Sequence, residues 1–312
     1  MPGPATRIGV GHAHAKVILL GEHAVVYGAP AIGLPLPGLA VRATARHTEP
    51  GDSSTRIRFT TTGSEYALPA NSGLAALVAL FEEPGAGIAV RVLSDIPLGR
   101  GLGSSAACAR ATVGALDRLL DRPVVEPEVY SLVQTAERVA HGNPSGIDAA
   151  TTGSPRPLMF SDGTSEALSV GMRGVFVVAD SGNSGATRTA VDLVAERFRR
   201  NPILRTRFVQ RIHALAHAAR PVLTAGRADE LGPILNENHS LLSELGLSTP
   251  KLDLLVRVAV DAGCVGAKLT GGGLGGCVLA LAADPEHARR AAARLRTAGA
   301  TTTWTVSAES FR

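Results

Sequence analysis

A glycine-rich segment carries the clearest chemical signal in this 312-residue chain. The run PLGRGLGSSAA at 97–107 alternates glycine with other residues and ends on Ser104 and Ser105, which open a helix. Alternate glycines let a backbone approach a ligand closely, and the first N–H groups of a helix attract an anion. The segment therefore predicts a phosphate-binding loop. It lacks the features of a Walker A loop or a dinucleotide fingerprint, and a plain glycine turn with a serine N-cap is the alternative.

Two acidic residues follow, one near the end of a second helix and one after the loop that succeeds it. Glu137 comes four residues after Val133, so the helical pattern turns its carboxylate towards the interior, where a carboxylate near phosphates suggests magnesium. Asp148 follows a turn containing Pro144, which can present one carboxylate to a substrate hydroxyl. The alternative is a helix-end glutamate paired with Arg138 and a turn-forming aspartate.

A second glycine-rich run, KLTGGGLGGC at 268–277, places five glycines in six positions between two strand-like segments. Each glycine costs conformational entropy on ordering, so a plain hairpin would not need so many. The excess favours close approach to a ligand or to the first glycine loop. A hairpin with a flexible lid is the alternative.

Near the N-terminus, Lys16 precedes an apolar strand and Glu22 and His23 follow it. A lysine at a strand start and an acid–imidazole pair at its end could line one pocket, although such a pair is usually a satisfied polar contact. Only Lys16, Lys251 and Lys268 are lysines among the 31 basic residues, which suggests a specific role for each.

The elements that position these segments form two halves. Predicted strands lie at Val17–Leu20, Ala40–Thr48, Arg56–Thr61 and Ile88–Leu93, with helices from Ser104 and from about Pro127 to Gly142. The second half predicts a strand at 175–179, helices at 187–200, 203–225, 228–245 and 250–262, a strand-glycine-strand unit at 266–282, a helix at 285–298 and a strand at 301–306. This pattern predicts an α+β fold of two domains, 1–168 and 169–312, with the joint within 163–174.

Composition excludes several classes of protein. With 45% hydrophobic and 19% charged residues the chain is globular, and it has no run of about 20 apolar residues for a membrane helix. The first ten residues do not resemble a signal peptide, and three scattered cysteines predict neither a disulfide framework nor a zinc site, so we expect the cytoplasm. A net charge of +4 with 4% aromatic residues favours small anionic ligands over nucleic acid.

Together the four segments resemble the GHMP kinase superfamily, which joins a Pro-x-Gly-x-Gly-Leu-Gly-Ser-Ser phosphate loop to a late glycine-rich loop. The order and spacing cover nearly the whole chain. Within the superfamily, the runs at 16–28, 142–148 and 268–271 resemble those of the mevalonate kinases. The chain departs from that pattern at His14, Ala15, Ala149, Gly272 and Leu274.

The resemblance implies an N-terminal mixed α/β domain with an unusual β-α-β crossover and a ferredoxin-like C-terminal domain. It implies transfer of the ATP γ-phosphoryl group to the primary hydroxyl of (R)-mevalonate, with Mg²⁺ as cofactor, no nucleic-acid or membrane partner, and a possible homodimer. The alternatives are a sister kinase acting on phosphomevalonate, with Arg188 and Arg173 available for the extra phosphate, or a silent nucleotide-binding scaffold.

Site residues follow from the same resemblance. Asp148 becomes the base or charge partner of the hydroxyl, Lys16 its neighbour, and Ser105 and Glu137 the magnesium ligands. The implied ATP-binding residues are Pro97, Gly99, Gly101, Leu102, Gly103, Ser104, Ser105, Gly271 and Gly272. The implied substrate-binding residues are Lys16, Glu22, His23, Asp148 and Thr270.

Overall fold

The computed structural model of the chain describes residues 7–49, 51–61, 64–83 and 86–311. Internal contacts divide the chain into two compact units, which are not consecutive in sequence. The first comprises Met1–Ala15, Pro37–Pro97 and Gly103–Gly153; the second comprises Lys16–Leu36, Leu98–Leu102 and Ser154–Arg312.

The first unit is built on a sheet with strand order β4-β3-β5-β2, in which β3 and β5 are parallel and the other pairs antiparallel. Alternation along β5 buries Ile88, Val90 and Val92. The β-α-β crossover that the resemblance implies stays a prediction. The strands are β1 (Gly9–Leu20) and β2 (Ala31–His47), which contribute to both units, β3 (Arg56–Thr61), β4 (Ser64–Ala67) and β5 (Ile88–Ser94); the helices are α1 (Gly73–Ala79), α2 (Ser104–Leu120), α3 (Glu126–His141) and α4 (Ile147–Thr151).

The backbone of β1 packs directly on α2. A methyl group placed on Gly9 or Gly11 would lie 1.9 Å from the carbonyl oxygen of Ala115 or Ala111, so only glycine fits there. Small residues on α2 complete this close approach. The packing fixes the helix that follows the first glycine loop.

The second unit contains a four-stranded antiparallel sheet in the order β11-β8-β10-β9. Every residue of β8 and β10 is buried, which explains their continuous apolar sequences. Strand order and chain order together match the expected ferredoxin-like domain. The elements are β6 (Leu158–Ser161), β7 (Thr164–Ala167), β8 (Val175–Asp180), α5 (Thr187–Arg200), α6 (Pro202–Ala225), α7 (Ala228–Glu244), α8 (Pro250–Asp261), β9 (Gly266–Thr270), β10 (Cys277–Ala282), α9 (Pro285–Thr297) and β11 (Thr302–Ser307).

Most predicted elements are confirmed, short elements such as β4, α1, α4, β6 and β7 were not predicted, and the largest errors in predicted bounds lie near the N-terminus. The helix from Ser104, the helix ending before Gly142 and the helices of the second half stand where the sequence predicts them. Strand β1 begins eight residues before the predicted Val17, and β2 begins nine residues before the predicted Ala40. In the part of the chain that the structure describes, no helix combines the length and apolar character that crossing a bilayer requires.

Candidate active site

The first glycine loop belongs to the second unit from Leu98 to Leu102 and leads into α2. Gly99 and Gly101 have φ of 69° and 73°, a region that side chains rarely adopt. A Cβ on Gly101 would lie 3.4 Å from the Gly271 Cα atom. The two glycine-rich segments therefore meet backbone to backbone, as one of the two explanations for the excess glycines predicts.

Helix α2 begins at the serine pair. Gly103 is its N-cap, with a left-handed φ of 74°, and Ser104 and Ser105 form its first turn. The N–H groups of a first helical turn have no intrahelical acceptor and carry partial positive charge. Both serines are half-buried. This end of α2 has the chemistry of an anion site.

Lys16 is held against the first glycine loop. Its Nζ donates to the Gly101 carbonyl at 3.0 Å, and its backbone N–H donates to the Leu102 carbonyl at 3.0 Å. Lys16 is 2% exposed. The prediction that Lys16 stands at a strand start is wrong, because β1 begins at Gly9 and Lys16 lies inside it. The glycine- and alanine-rich start of β1 hides the strand from a reading of β-branched residues.

Glu22 and Lys268 form a buried ion pair in the second unit. Lys268 Nζ also donates to the carbonyls of Ile18 at 3.3 Å and Leu269 at 2.7 Å. Burial raises the pKa of Glu22 and lowers that of Lys268, and the attraction between the two charges opposes both shifts. The pair therefore ties the end of β1 to β9.

Thr270 makes a second tie between the same strands. Its hydroxyl accepts from the Ile18 N–H at 3.0 Å and donates to the Ile18 carbonyl at 2.9 Å. His23 does not share a partner with Glu22, since its Nε2 lies 2.8 Å from the Gly272 carbonyl. Burial lowers the pKa of His23, so the neutral ring donates this bond. The expected acid–imidazole pair is thus two separate contacts.

Glu137 lies on α3 and is 4% exposed. The prediction that its carboxylate faces the interior is confirmed. The pKa of the Cys108 thiol, in the second turn of α2, is raised to about 12. Burial is the main cause, and the negative charge of Glu137 is a lesser one. Glu137 therefore lies near the start of the helix that carries Ser105.

Asp148 follows the loop that contains Pro144, as predicted, and lies in the first turn of α4 in the first unit, a short helix that the sequence does not predict. Gly146 caps this helix with a φ of 97°. The Asp148 carbonyl accepts from the Thr152 N–H at 3.1 Å and from its hydroxyl at 2.9 Å. The half-buried residue therefore stands on a hydrogen-bonded segment.

Sequence reasoning missed Arg110, which secures the segment that carries Asp148. The buried guanidinium on α2 donates to the Ala149 carbonyl at 2.7 Å and to both carboxylate oxygens of Glu126, at 2.9 and 2.7 Å. The available signal was an arginine between two alanines on an apolar helix face.

Lys268→Met should test the buried pair, because it removes the ammonium and leaves Glu22 buried without its counter-ion. Breaking a buried ion pair typically costs about 3–5 kcal/mol, so we expect a loss of that size in the free energy of unfolding near neutral pH. Urea denaturation followed by circular dichroism measures it. The double variant Glu22→Gln/Lys268→Met should regain roughly half of the loss.

The pH dependence separates an ionic from a packing effect. In Lys268→Met, the folded state holds a proton on Glu22 that the unfolded state has already released, so the loss grows from about pH 5 to about pH 8. Lys251→Met is the control, since Lys251 donates to the Ala298 carbonyl at 2.8 Å instead of a carboxylate. A loss that is the same at both pH values would contradict the ion-pair account.

Comparisons with known proteins agree with this architecture. The family model for the GHMP kinases N terminal domain matches residues 70–154, and the model for the GHMP kinases C terminal matches residues 216–301. The chain belongs to the GHMP kinase family.

Relatives within that family include several mevalonate kinases. The mevalonate kinase of Pyrococcus abyssi is 35% identical over 95% of this chain and 94% of its own, and that of Pyrococcus horikoshii 36% identical over 92% of each. The crystal structure of L. major mevalonate kinase in complex with R-mevalonate aligns with a TM-score of 0.84 at 25% identity, over 98% of both chains. A Streptococcus pneumoniae phosphomevalonate kinase shares the fold, with a TM-score of 0.79 at 18% identity over 95% of this chain and 99% of its own.

Proposed function

We propose that this chain transfers the γ-phosphoryl group of ATP to the primary hydroxyl of (R)-mevalonate, giving 5-phosphomevalonate. The observation that carries the proposal is the match over more than nine-tenths of both chains to mevalonate kinases at 35–36% identity. Lys16, Glu137 and Asp148 each lie on an ordered strand or helix of their unit.

The first glycine loop and the start of α2 would hold the ATP phosphates. Backbone N–H groups near a helix N-terminus bind phosphate oxygens without a further charge, and the positive φ at the glycines turns the backbone for this. The second glycine-rich segment contacts the first and would complete the nucleotide site. The proposed ATP-binding residues are Pro97, Gly99, Gly101, Leu102, Gly103, Ser104, Ser105, Gly271 and Gly272.

Asp148 would accept the proton of the attacking hydroxyl or stabilise its developing charge, and Lys16 would offset negative charge on the transferring group. Phosphoryl transfer requires in-line positioning and charge neutralisation, with little covalent work for the protein. A buried ammonium suits this role, because a charge acts more strongly where water is excluded. Glu22, His23 and Thr270 are proposed to line the part of the pocket that binds mevalonate.

Mg²⁺ is proposed to accompany ATP, with Ser105 and Glu137 as its protein ligands. No group of three or more acidic, histidine or cysteine side chains suited to a metal occurs in the described ranges. A donor set of only Ser105 and Glu137 fits Mg²⁺, which usually takes one or two protein ligands and fills its remaining positions with phosphate oxygens and water. When bound, the ion would neutralise charge on the phosphate oxygens.

Glu137→Gln should weaken the apparent affinity for Mg²⁺ about tenfold or more, since a neutral amide is a poor ligand for a hard dication. The KM for mevalonate should stay within about twofold. A magnesium titration of the steady-state rate measures both. Glu128→Gln on the exposed side of the same helix is the control. An unchanged magnesium titration in Glu137→Gln would favour a purely structural glutamate.

The test of the proposal is a coupled ADP-release assay with mevalonate and with phosphomevalonate as acceptors. We expect turnover with mevalonate and at least about a hundredfold lower kcat/KM with phosphomevalonate, whose extra phosphate would need its own cations. Of the two arginines that the sequence offers for this phosphate, Arg188 is exposed, and Arg173 lies 3.9 Å from the Glu309 carboxylate. A preference for phosphomevalonate would overturn the proposal, as would nucleotide binding without turnover.

We also propose the organisation that surrounds this activity. Residues 1–168 would form the N-terminal domain and 169–312 the C-terminal domain, in a cytoplasmic enzyme that can form a homodimer. Three free, buried cysteines support a reducing compartment. Sedimentation of the purified chain tests the oligomeric state.

A further inference from the structure

The first glycine loop carries an ion pair that the roles above do not use. Arg100, between Gly99 and Gly101, donates from Nε to Asp180 Oδ2 at 3.0 Å. The Arg100 side chain is 20% exposed and that of Asp180 6%. Asp180 is the last residue of β8, so the pair joins the loop to the central sheet of the second unit.

The Asp180 carboxylate also shapes the turn that follows it. Its Oδ1 accepts from the Gly182 N–H at 2.8 Å. That turn contacts the glycine loop in its own right, because the Gly185 N–H and the Ser184 hydroxyl donate to the Gly99 carbonyl at 2.7 and 3.2 Å. One buried carboxylate thus orients both the arginine of the loop and the backbone that binds the loop.

The surroundings leave the loop little room to shift. A Cβ on Gly99 would lie 2.4 Å from the Ser184 hydroxyl oxygen, and one on Gly276 would lie 3.0 Å from the Arg100 carbonyl. Lys16 Nζ holds the Gly101 carbonyl from another direction. Among these contacts the Arg100–Asp180 pair is the one made by two opposite charges, and partial burial strengthens it.

We propose that Arg100 and Asp180 are positioning residues for ATP: their ion pair holds the first glycine loop in its phosphate-binding conformation before the nucleotide arrives. The inference rests on the proposed function in taking ATP as the ligand of this loop. Since the guanidinium is paired with a carboxylate, its charge is largely cancelled at the loop and it acts through backbone position. A loop ordered in advance pays less conformational entropy on binding, so the pair lowers the Kd and KM for ATP.

The experiment compares Arg100→Met, Asp180→Asn and the double variant. Arg100→Met keeps the apolar stem, and Asp180→Asn keeps an oxygen for the Gly182 N–H. We expect each single variant to raise the Kd for a fluorescent ATP analogue and the KM for ATP about tenfold, with the KM for mevalonate within about twofold. The double variant should be no worse than either single variant, because all three lose the same contact.

Arg220→Met is the matched control, since it breaks the exposed Arg220–Glu166 pair of the same unit. It should leave both ATP constants unchanged. Thermal melts of all variants separate loss of folding from loss of positioning.

Two outcomes would overturn the proposal. A much larger effect of Arg100→Met than of Asp180→Asn, with additive effects in the double variant, would mean that Arg100 contacts phosphate directly. Unchanged ATP constants with a lowered Tm would make the pair purely structural. The analogue titration contains no mevalonate, so an error in the acceptor proposed above would leave this test intact and would show only in the turnover assay.

Discussion

Asp148→Asn is expected to lower kcat by about a hundredfold to ten-thousandfold, the range that a positioned acid–base group contributes. The amide is nearly isosteric with the carboxylate but cannot accept the hydroxyl proton or carry the negative charge. The hydrogen bonds that Thr152 donates at the end of α4 go to the backbone carbonyl of Asp148, which the substitution leaves in place. A thermal melt of the variant separates a loss of chemistry from a loss of folding.

Steady-state kinetics with mevalonate measure this loss, and titration with a fluorescent ATP analogue should give a Kd within about twofold of wild type. Asp192→Asn, an exposed aspartate on α5, controls for the loss of one negative charge and should be unchanged. Turnover of Asp148→Asn within about threefold of wild type would remove this carboxylate from the mechanism.

Local signals in the sequence were sufficient to predict much of the local structure of the proposed nucleotide site. Alternating glycines followed by a serine pair specify a turn with positive φ and a helix start, and both occur at Gly99–Ser105. The inward face of Glu137 follows from helical spacing in the same way. These features depend on neighbours within a few residues.

Contacts between distant residues could not be predicted from spacing. Glu22 and Lys268 are 246 positions apart, Lys16 and Gly101 85, and Arg100 and Asp180 80. Each partner alone has an ordinary local pattern, and only the fold selects which charges meet. The scarcity of lysine in this arginine-rich chain indicated that Lys16 and Lys268 have specific roles, but it did not indicate which residues they contact.

The Asp148 segment shows a third limit. Helix α4 has five residues, too few for a hydrophobic period, and its glycine cap also fits a turn. The part of β1 before Lys16 could not be predicted for a different reason. Gly9 and Gly11 are poor strand formers, but close packing on α2 requires them. In the second case tertiary packing overrides local propensity.

Lys16→Arg should reduce turnover nearly as much as Lys16→Met, although it keeps the positive charge. Lys16 lies inside β1 and is 2% exposed, and its ammonium donates to the Gly101 carbonyl. A wider guanidinium with donors in a fixed fork would therefore displace the loop that Lys16 now holds. Misplacement by about 1 Å can cost about a hundredfold in rate. For Lys16→Met, loss of a charge worth about 4 kcal/mol at about 4 Å and an effective dielectric of about 20 corresponds to about a thousandfold.

Steady-state kinetics of both variants, with a thermal melt of each, decide between a point-charge role and a general need for a cation. Lys251→Arg is the matched control, because Lys251 also donates to a carbonyl of the second unit but lies away from the glycine loops in sequence. It should keep wild-type turnover. The expected order is therefore Lys251→Arg far above Lys16→Arg, with Lys16→Arg close to Lys16→Met. Retention of more than about half of wild-type turnover by Lys16→Arg would show that any cation at this position suffices, and the geometric argument for lysine would fail.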